Sequence, residues 1–181
     1  MPELRVEEVL LSRRGVLKVG LWASAFLTCA GLGASLSGCS PGSSASGFAL
    51  LRSSDLTFLR ALIPVMLAGS VGAPAVPGAA DATLHQLDHN LAHLSPELLK
   101  LTRQLFDVLA MPVTRGPLTG VWGGWESASP EQIQDFLQRW QNSSLSLLRM
   151  GHGSLVQLVM MSWYERPESW AGCGYPGPPK I

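Results

Sequence analysis

Two copies of one short signal, Ser95-Pro96-Glu97 and Ser129-Pro130-Glu131, constrain this chain more than any other pattern in it. Each offers a hydroxyl to a free backbone N–H, then a proline with no N–H to orphan, then an acid in the first turn. That is the order a helix N-terminus favours. Behind the first signal Leu98, Leu101, Leu105, Phe106 and Leu109 recur at helical spacing and stop near Pro112. Behind the second, Ile133, Phe136, Leu137 and Trp140 do the same. No strand-like alternation competes over a useful length, so the expected class is all-α.

The remaining segments fit that class. Ser53 or Ser54 can cap a helix through Asp55, Leu56, Phe58, Leu59, Leu62 and Ile63, with a kink at Pro64. Pro74 and Pro77 make Gly69 to Gly78 a loop, and a second helix is expected from about Ala79 to Leu94. Val113 to Ser127, with Trp122-Gly123-Gly124-Trp125, reads as a loop. Gly151-His152-Gly153 is expected to interrupt the pattern before a last helix, Leu155 to Tyr164. The expectation is a small helical domain of about five helices at 53–181, after a cleavable N-terminal leader and a flexible tether.

The leader is residues 1–38. Ser12, Arg13, Arg14, Leu17 and Lys18 carry the paired arginines of the twin-arginine export address, which a receptor reads. From Val19 to Leu51 no side chain is charged, and the Gly- and Ala-rich core is less apolar than a Leu/Ile-rich transmembrane helix. A permanent N-terminal membrane helix is the plainer alternative. Leu36-Ser37-Gly38-Cys39 matches a lipobox, in which Cys39 is acylated and anchors the chain to a membrane; a cleaved leader with an incidental Cys39 is its alternative. Residues 39–52 read as the tether, because Pro41 to Gly47 is rich in Gly and Ser. The expected location is periplasmic and membrane-anchored.

That route carries proteins already folded, usually around a cofactor, yet the rest of the chain offers no cofactor site. A folded partner is then what needs the route. About 130 residues follow the tether, enough for one core. Formal net charge is zero and there is no basic stripe, which argues against nucleic acid. With Cys29 removed and Cys39 acylated, Cys173 is left alone in an oxidising compartment, either buried and inert or paired with another polypeptide.

His85, His89 and His93 share one helical face, the spacing of paired imidazole metal ligands, with Asp81 and Asp88 near the stripe as candidate carboxylates. They fall opposite Leu84, Leu87, Leu91 and Leu94, so a solvated polar face is the plainer reading. The functional alternative is a small lipid-anchored metal-binding or electron-transfer protein. His152, between two glycines, reads as a helix junction. No GxSxG, P-loop, dinucleotide fingerprint, CxxC, HExxH or CxxCH occurs, and no catalytic residue is assigned.

The tail is the remaining candidate site. Pro167 is expected to turn the chain away from its last helix. Ser169 to Pro179 carries no charge and is stiffened by Pro176, Pro178 and Pro179. Trp163, Tyr164, Trp170, Tyr175 and Pro176 are candidate partner-binding residues, with Cys173 placed for an interchain disulfide. The competing reading is a tail folded back over its own helices.

The run Trp163-Tyr164-Glu165-Arg166-Pro167-Glu168-Ser169-Trp170, with Gly174-Tyr175-Pro176-Gly177-Pro178, resembles the C-terminal signature of gluconate 2-dehydrogenase subunit 3 proteins. The likeness extends weakly to Asp55 to Pro64 and to Ser129-Pro130-Glu131-Gln132. It implies a small accessory subunit, itself no enzyme and without a redox centre. It carries the leader for a flavin-dependent dehydrogenase of the glucose-methanol-choline type. FAD then belongs to that catalytic subunit, often accompanied by a cytochrome c subunit, and the twin-arginine translocation machinery is a further partner. The chain departs from the family by its lipobox and by lacking a Gly-Gly-Asn segment before the tail tryptophan, which leaves the partner's identity and substrate open.

Overall fold

The computed structural model describes residues 43–72 and 75–179, within the compact unit Gly42–Ile181. The export-signal residues Ser12, Arg13, Arg14, Leu17 and Lys18, and the lipidation candidate Cys39, lie outside the described residues.

The described chain is all-α. Its helices are α1 (Ser53–Leu67), α2 (Val76–Leu91), α3 (Pro96–Ala110), α4 (Pro112–Thr119), α5 (Pro130–Gln141), α6 (Ser146–Tyr164) and α7 (Pro167–Cys173), with a 3-10 turn at Trp125–Ser127. Both Ser-Pro-Glu signals act as expected. Ser95 Oγ accepts the Leu98 N–H at 3.3 Å, and Ser129 Oγ accepts that of Gln132 at 3.3 Å. Gln132 Oε1 returns a bond to the Ser129 N–H at 3.0 Å, closing a capping box.

Helix α1 lies at the centre and packs against α2, α3, α5, α6 and the 3-10 turn. Its buried face is Phe58, Leu59, Leu62, Ile63 and Leu67. Its N-cap is Arg52, one residue before the first expected cap. Neither Ser53 nor Ser54 caps it; Asp55 reaches back to the Arg52 N–H at 2.9 Å. The helix continues through Pro64 to Leu67.

An aromatic chain joins the layers. Phe58 meets Phe106 edge-on at 5.2 Å and Trp125 at 6.3 Å; Trp125 meets Phe136 at 5.9 Å, and Phe136 meets Trp140 at 5.0 Å. The two indoles of this chain of rings find acceptors, as a buried ring N–H requires. Trp125 Nε1 donates to the Leu109 carbonyl at 2.8 Å and Trp140 Nε1 to that of Leu118 at 2.9 Å.

Several expectations are corrected. There are seven α-helices among the described residues, not about five. Pro112–Thr119 is helical where a loop was expected. Pro112 occupies the first turn, where its missing N–H costs nothing, and Gly120 ends the helix at φ 79°, a left-handed cap. Helix α6 runs unbroken through Gly151-His152-Gly153. Gly151 is there for contact: a Cβ at this position would lie 2.7 Å from Trp140 Cζ3 and 3.4 Å from Leu105 Cδ1. Pro167 opens α7 rather than leading into an extended tail.

Residues 45–52, expected to belong to the tether at 39–52, are instead held on the domain. Ala45 and Leu51 are buried, and the Ala45 N–H donates to the Leu51 carbonyl at 2.7 Å. Residues 45–52 are thus a strap on the domain.

Candidate functional site

Asp88, placed near the histidine stripe as a possible carboxylate ligand, is instead buried beneath this strap. Its carboxylate accepts the backbone N–H groups of Ala49 at 2.6 Å, Leu50 at 2.9 Å and Leu51 at 2.8 Å. Burial pushes its pKa up, but the three donors and nearby His85 outweigh that and hold it below the ordinary 3.8. Arg52 closes the strap with Asp55 at 2.8 Å and Asp107 at 2.7 Å. Those hydrogen bonds, Asp55 first, raise the guanidinium's pKa against the opposing effect of burial.

The three stripe histidines are exposed, as the helical pattern requires. His85 stacks on Phe48 at 4.7 Å, with the rings 4° from parallel, and so covers the strap. His89 and His93 approach each other at 4.5 Å, and His93 Nδ1 contacts the His89 carbonyl at 2.8 Å. Among the described residues no three His, Cys, Asp or Glu side chains converge on one point. His152 is half-buried mid-helix, and burial lowers its pKa.

In the tail, the candidate partner-binding residues separate. Trp163 is in the core at 5 % exposure and presents no face to a partner; this corrects its assignment. It lies on the α6 face shared with Leu155, Val159 and Ser162. Tyr164 is 45 % exposed and Tyr175 48 %, while Pro176 and Cys173 are exposed too. Trp170 is half-buried. Its Nε1 donates to the Tyr164 carbonyl at 3.0 Å, and its own carbonyl accepts the Tyr175 N–H at 3.0 Å. Tyr175 meets the Trp170 ring edge-on at 5.5 Å. Gly177 passes so close that a Cβ would lie 3.1 Å from Trp170 Cζ3.

The tail therefore returns onto its own helices around Trp170. It forms a small knuckle that leaves Tyr164, Tyr175 and Pro176 outward beside the Cys173 thiol. Cys173 Sγ lies 3.4 Å from the Trp170 carbonyl and remains exposed. Of the other tryptophans, Trp125 is core and Trp122 is 77 % exposed, lying across buried Gly116.

Sequence reasoning missed a second surface feature. A groove of about 590 Å3 lies between the end of α2, the start of α3 and the later turns of α6. Leu98 and Leu101 fall within a helical repeat that reads as core, yet they are 53 % and 61 % exposed. The stronger core signal of Phe106 and Leu109 on the same helix masked them.

Among the described residues no helix is long and apolar enough to cross a membrane. Comparison with protein-family models, with curated proteins and with solved structures found no match.

Proposed function

We propose that this chain is a non-catalytic small subunit. It would escort, mature or stabilise a flavin-dependent dehydrogenase of the glucose-methanol-choline type through twin-arginine export and hold it at the envelope. The observation that carries the reading is the tail knuckle. Trp170 ties exposed Tyr164 and Tyr175 together: its Nε1 donates to the Tyr164 carbonyl and its own carbonyl accepts the Tyr175 N–H, with exposed Pro176 next in the chain and the Cys173 thiol exposed nearby in sequence. Aromatic side chains already fixed in this way lose little rotamer entropy on docking and offer large apolar areas. The knuckle is also built from the residues on which the family resemblance rests.

In this reading the FAD is held by the partner, a cytochrome c subunit can join the same complex, and Arg13 and Arg14 supply the export address for both proteins. Cys39 supplies the lipid anchor in the periplasm. The test is purification of the full chain from the envelope. A flavin-absorbing subunit is expected to co-elute, and to be lost when Tyr175 and Tyr164 are both changed to alanine. Replacing Arg13 and Arg14 by lysine, which lacks the planar multi-donor guanidinium, is expected to strand both proteins in the cytoplasm. Normal arrival of the flavoprotein in the periplasm of that double mutant would end the escort reading.

A further inference from the structure

The strap sets how far the domain can stand from a lipid anchor. Ala45 is buried, with its N–H bonded to the Leu51 carbonyl at 2.7 Å, so six residue steps separate Cys39 from the fold. Six steps reach at most about 20 Å. A domain of this length has a radius of gyration of about 14 Å, so only the half of its surface nearer Ala45 can touch the membrane.

Helix α3 lies in that half. Arg52 pairs with Asp107 at 2.7 Å, and Arg103 Nη2 donates to the Leu50 carbonyl at 3.5 Å, which sets α3 beside the strap. Leu101, about 9 Å along the axis from Asp107, is 61 % exposed, and Leu98, about one turn further, 53 %. Residues three apart adjoin on a helix, so the two leucines form one apolar patch. Exposed Lys100 and half-buried Arg103 border it, and among the described residues neither makes an ion pair. The acids of this helix are Glu97, in its first turn, and Asp107, which Arg52 neutralises. Aliphatic side chains bordered by cations suit an anionic lipid surface, where the leucines enter the headgroup boundary and the cations meet the phosphates.

We propose that the outward face of α3, Leu98 and Leu101 with Lys100 and Arg103, rests on the anionic lipid surface that holds Cys39. The proposal rests on the anchored accessory-subunit reading and gives the domain an orientation. Helix α1 leaves the strap at Ser53 and ends at Leu67, about 21 Å away along its axis. Past that end, a Cβ on Gly172 of α7 would lie 3.7 Å from the Ser70 carbonyl oxygen. The tail knuckle therefore sits at the end of α1 away from the strap, clear of the lipid and open to the flavoprotein.

The test uses the chain purified from the membrane fraction, with Cys173→Ser so that one fluorophore can be placed at either Leu101→Cys or Ser70→Cys. In phosphatidylglycerol vesicles carrying a nitroxide-lipid quencher, the label at 101 is expected to be quenched about threefold more than the label at 70. Leu98→Glu with Lys100→Glu, both at exposed positions, should bring the label at 101 down to the level at 70 while helical circular dichroism stays unchanged. Unchanged quenching in that variant overturns the proposal, as does equal or stronger quenching at 70. A label at 101 that is shielded only when the flavoprotein is added also overturns it, and makes α3 a protein surface. If mass spectrometry finds Cys39 without an acyl chain, the anchor falls and this proposal with it, while co-purification of a flavoprotein still decides the escort reading. If Cys39 is acylated and the label at 101 is not preferentially quenched, the seating of α3 falls and the anchor stands.

Discussion

Residues 45–52 and residues 174–177 are both short segments without regular structure at an end of the described chain, and they are secured by opposite means. The first is held by a buried carboxylate, Asp88, which satisfies three consecutive backbone N–H groups, and by Arg52 with its two acidic partners. The second is held by two neutral backbone hydrogen bonds, Gly174 N–H to the Ala171 carbonyl and Tyr175 N–H to the Trp170 carbonyl, and by an edge-on ring contact around half-buried Trp170. Charge-assisted bonds away from water are strong, and leaving their donors unmade is costly. Neutral contacts at the surface are neither. The difference teaches which end is built into the fold, and it is the other that we propose is left for a partner.

The largest expected effect breaks the first half of the comparison. Asp88→Ala leaves three N–H groups without an acceptor, and urea unfolding should show a loss of about 3 kcal/mol. A loss below about 1 kcal/mol would mean that the strap contributes little to the fold.

Acid probes the same bond without mutation. Because the folded pKa of Asp88 is lowered, its stabilisation is present above the ordinary value of 3.8 and is lost as pH falls through the folded value. His152 acts earlier. Its folded pKa lies below 6.5, so the unfolded chain binds the extra proton first and stability declines as pH drops below 6.5. Melting temperature against pH should fall in two stages, and His152→Gln should flatten only the upper one.

Helix α6 connects the core to the tail, and its two glycines sharpen the contrast between packed and open positions. Gly151→Ala should destabilise by about 1 kcal/mol, since overpacking against Trp140 exceeds the gain in helix propensity. A Cβ at Gly153 meets nothing within 4 Å, so Gly153→Ala should stabilise by roughly 0.8 kcal/mol. The smallest change belongs to the tail. Tyr175→Ala should lower stability by about 0.5 kcal/mol, the low end for one aromatic pair, because the pair is partly exposed.

Helix starts were readable because a cap, a first-turn proline and an acid are local signals, as at Ser95 and Ser129. What escaped depended on contacts far along the chain. The glycines of α6 resemble a break until Trp140 is seen filling the notch at Gly151. Gly116 and Pro117 similarly concealed α4, although Gly116 is buried beneath Trp122. Asp88 lies 37 to 39 residues from the groups it binds, and no local pattern announces such a bond. The Gly/Ser composition of the preceding residues therefore read as tether throughout. The path of the tail was not legible, because Pro167 serves a helix start as well as a turn.

The central claim, a structural strap at one end and a proposed partner surface at the other, is tested most directly by native-state hydrogen exchange on the full chain, free and in the presence of the proposed flavoprotein partner. The amides of Ala49, Leu50 and Leu51 are expected to exchange only through global unfolding in both states, whereas the Tyr175 amide should exchange by local opening when free and become protected when bound. Tyr175 as slow as Leu51 in the free chain, or protection on binding that appears in the strap and bypasses the tail, would contradict the account.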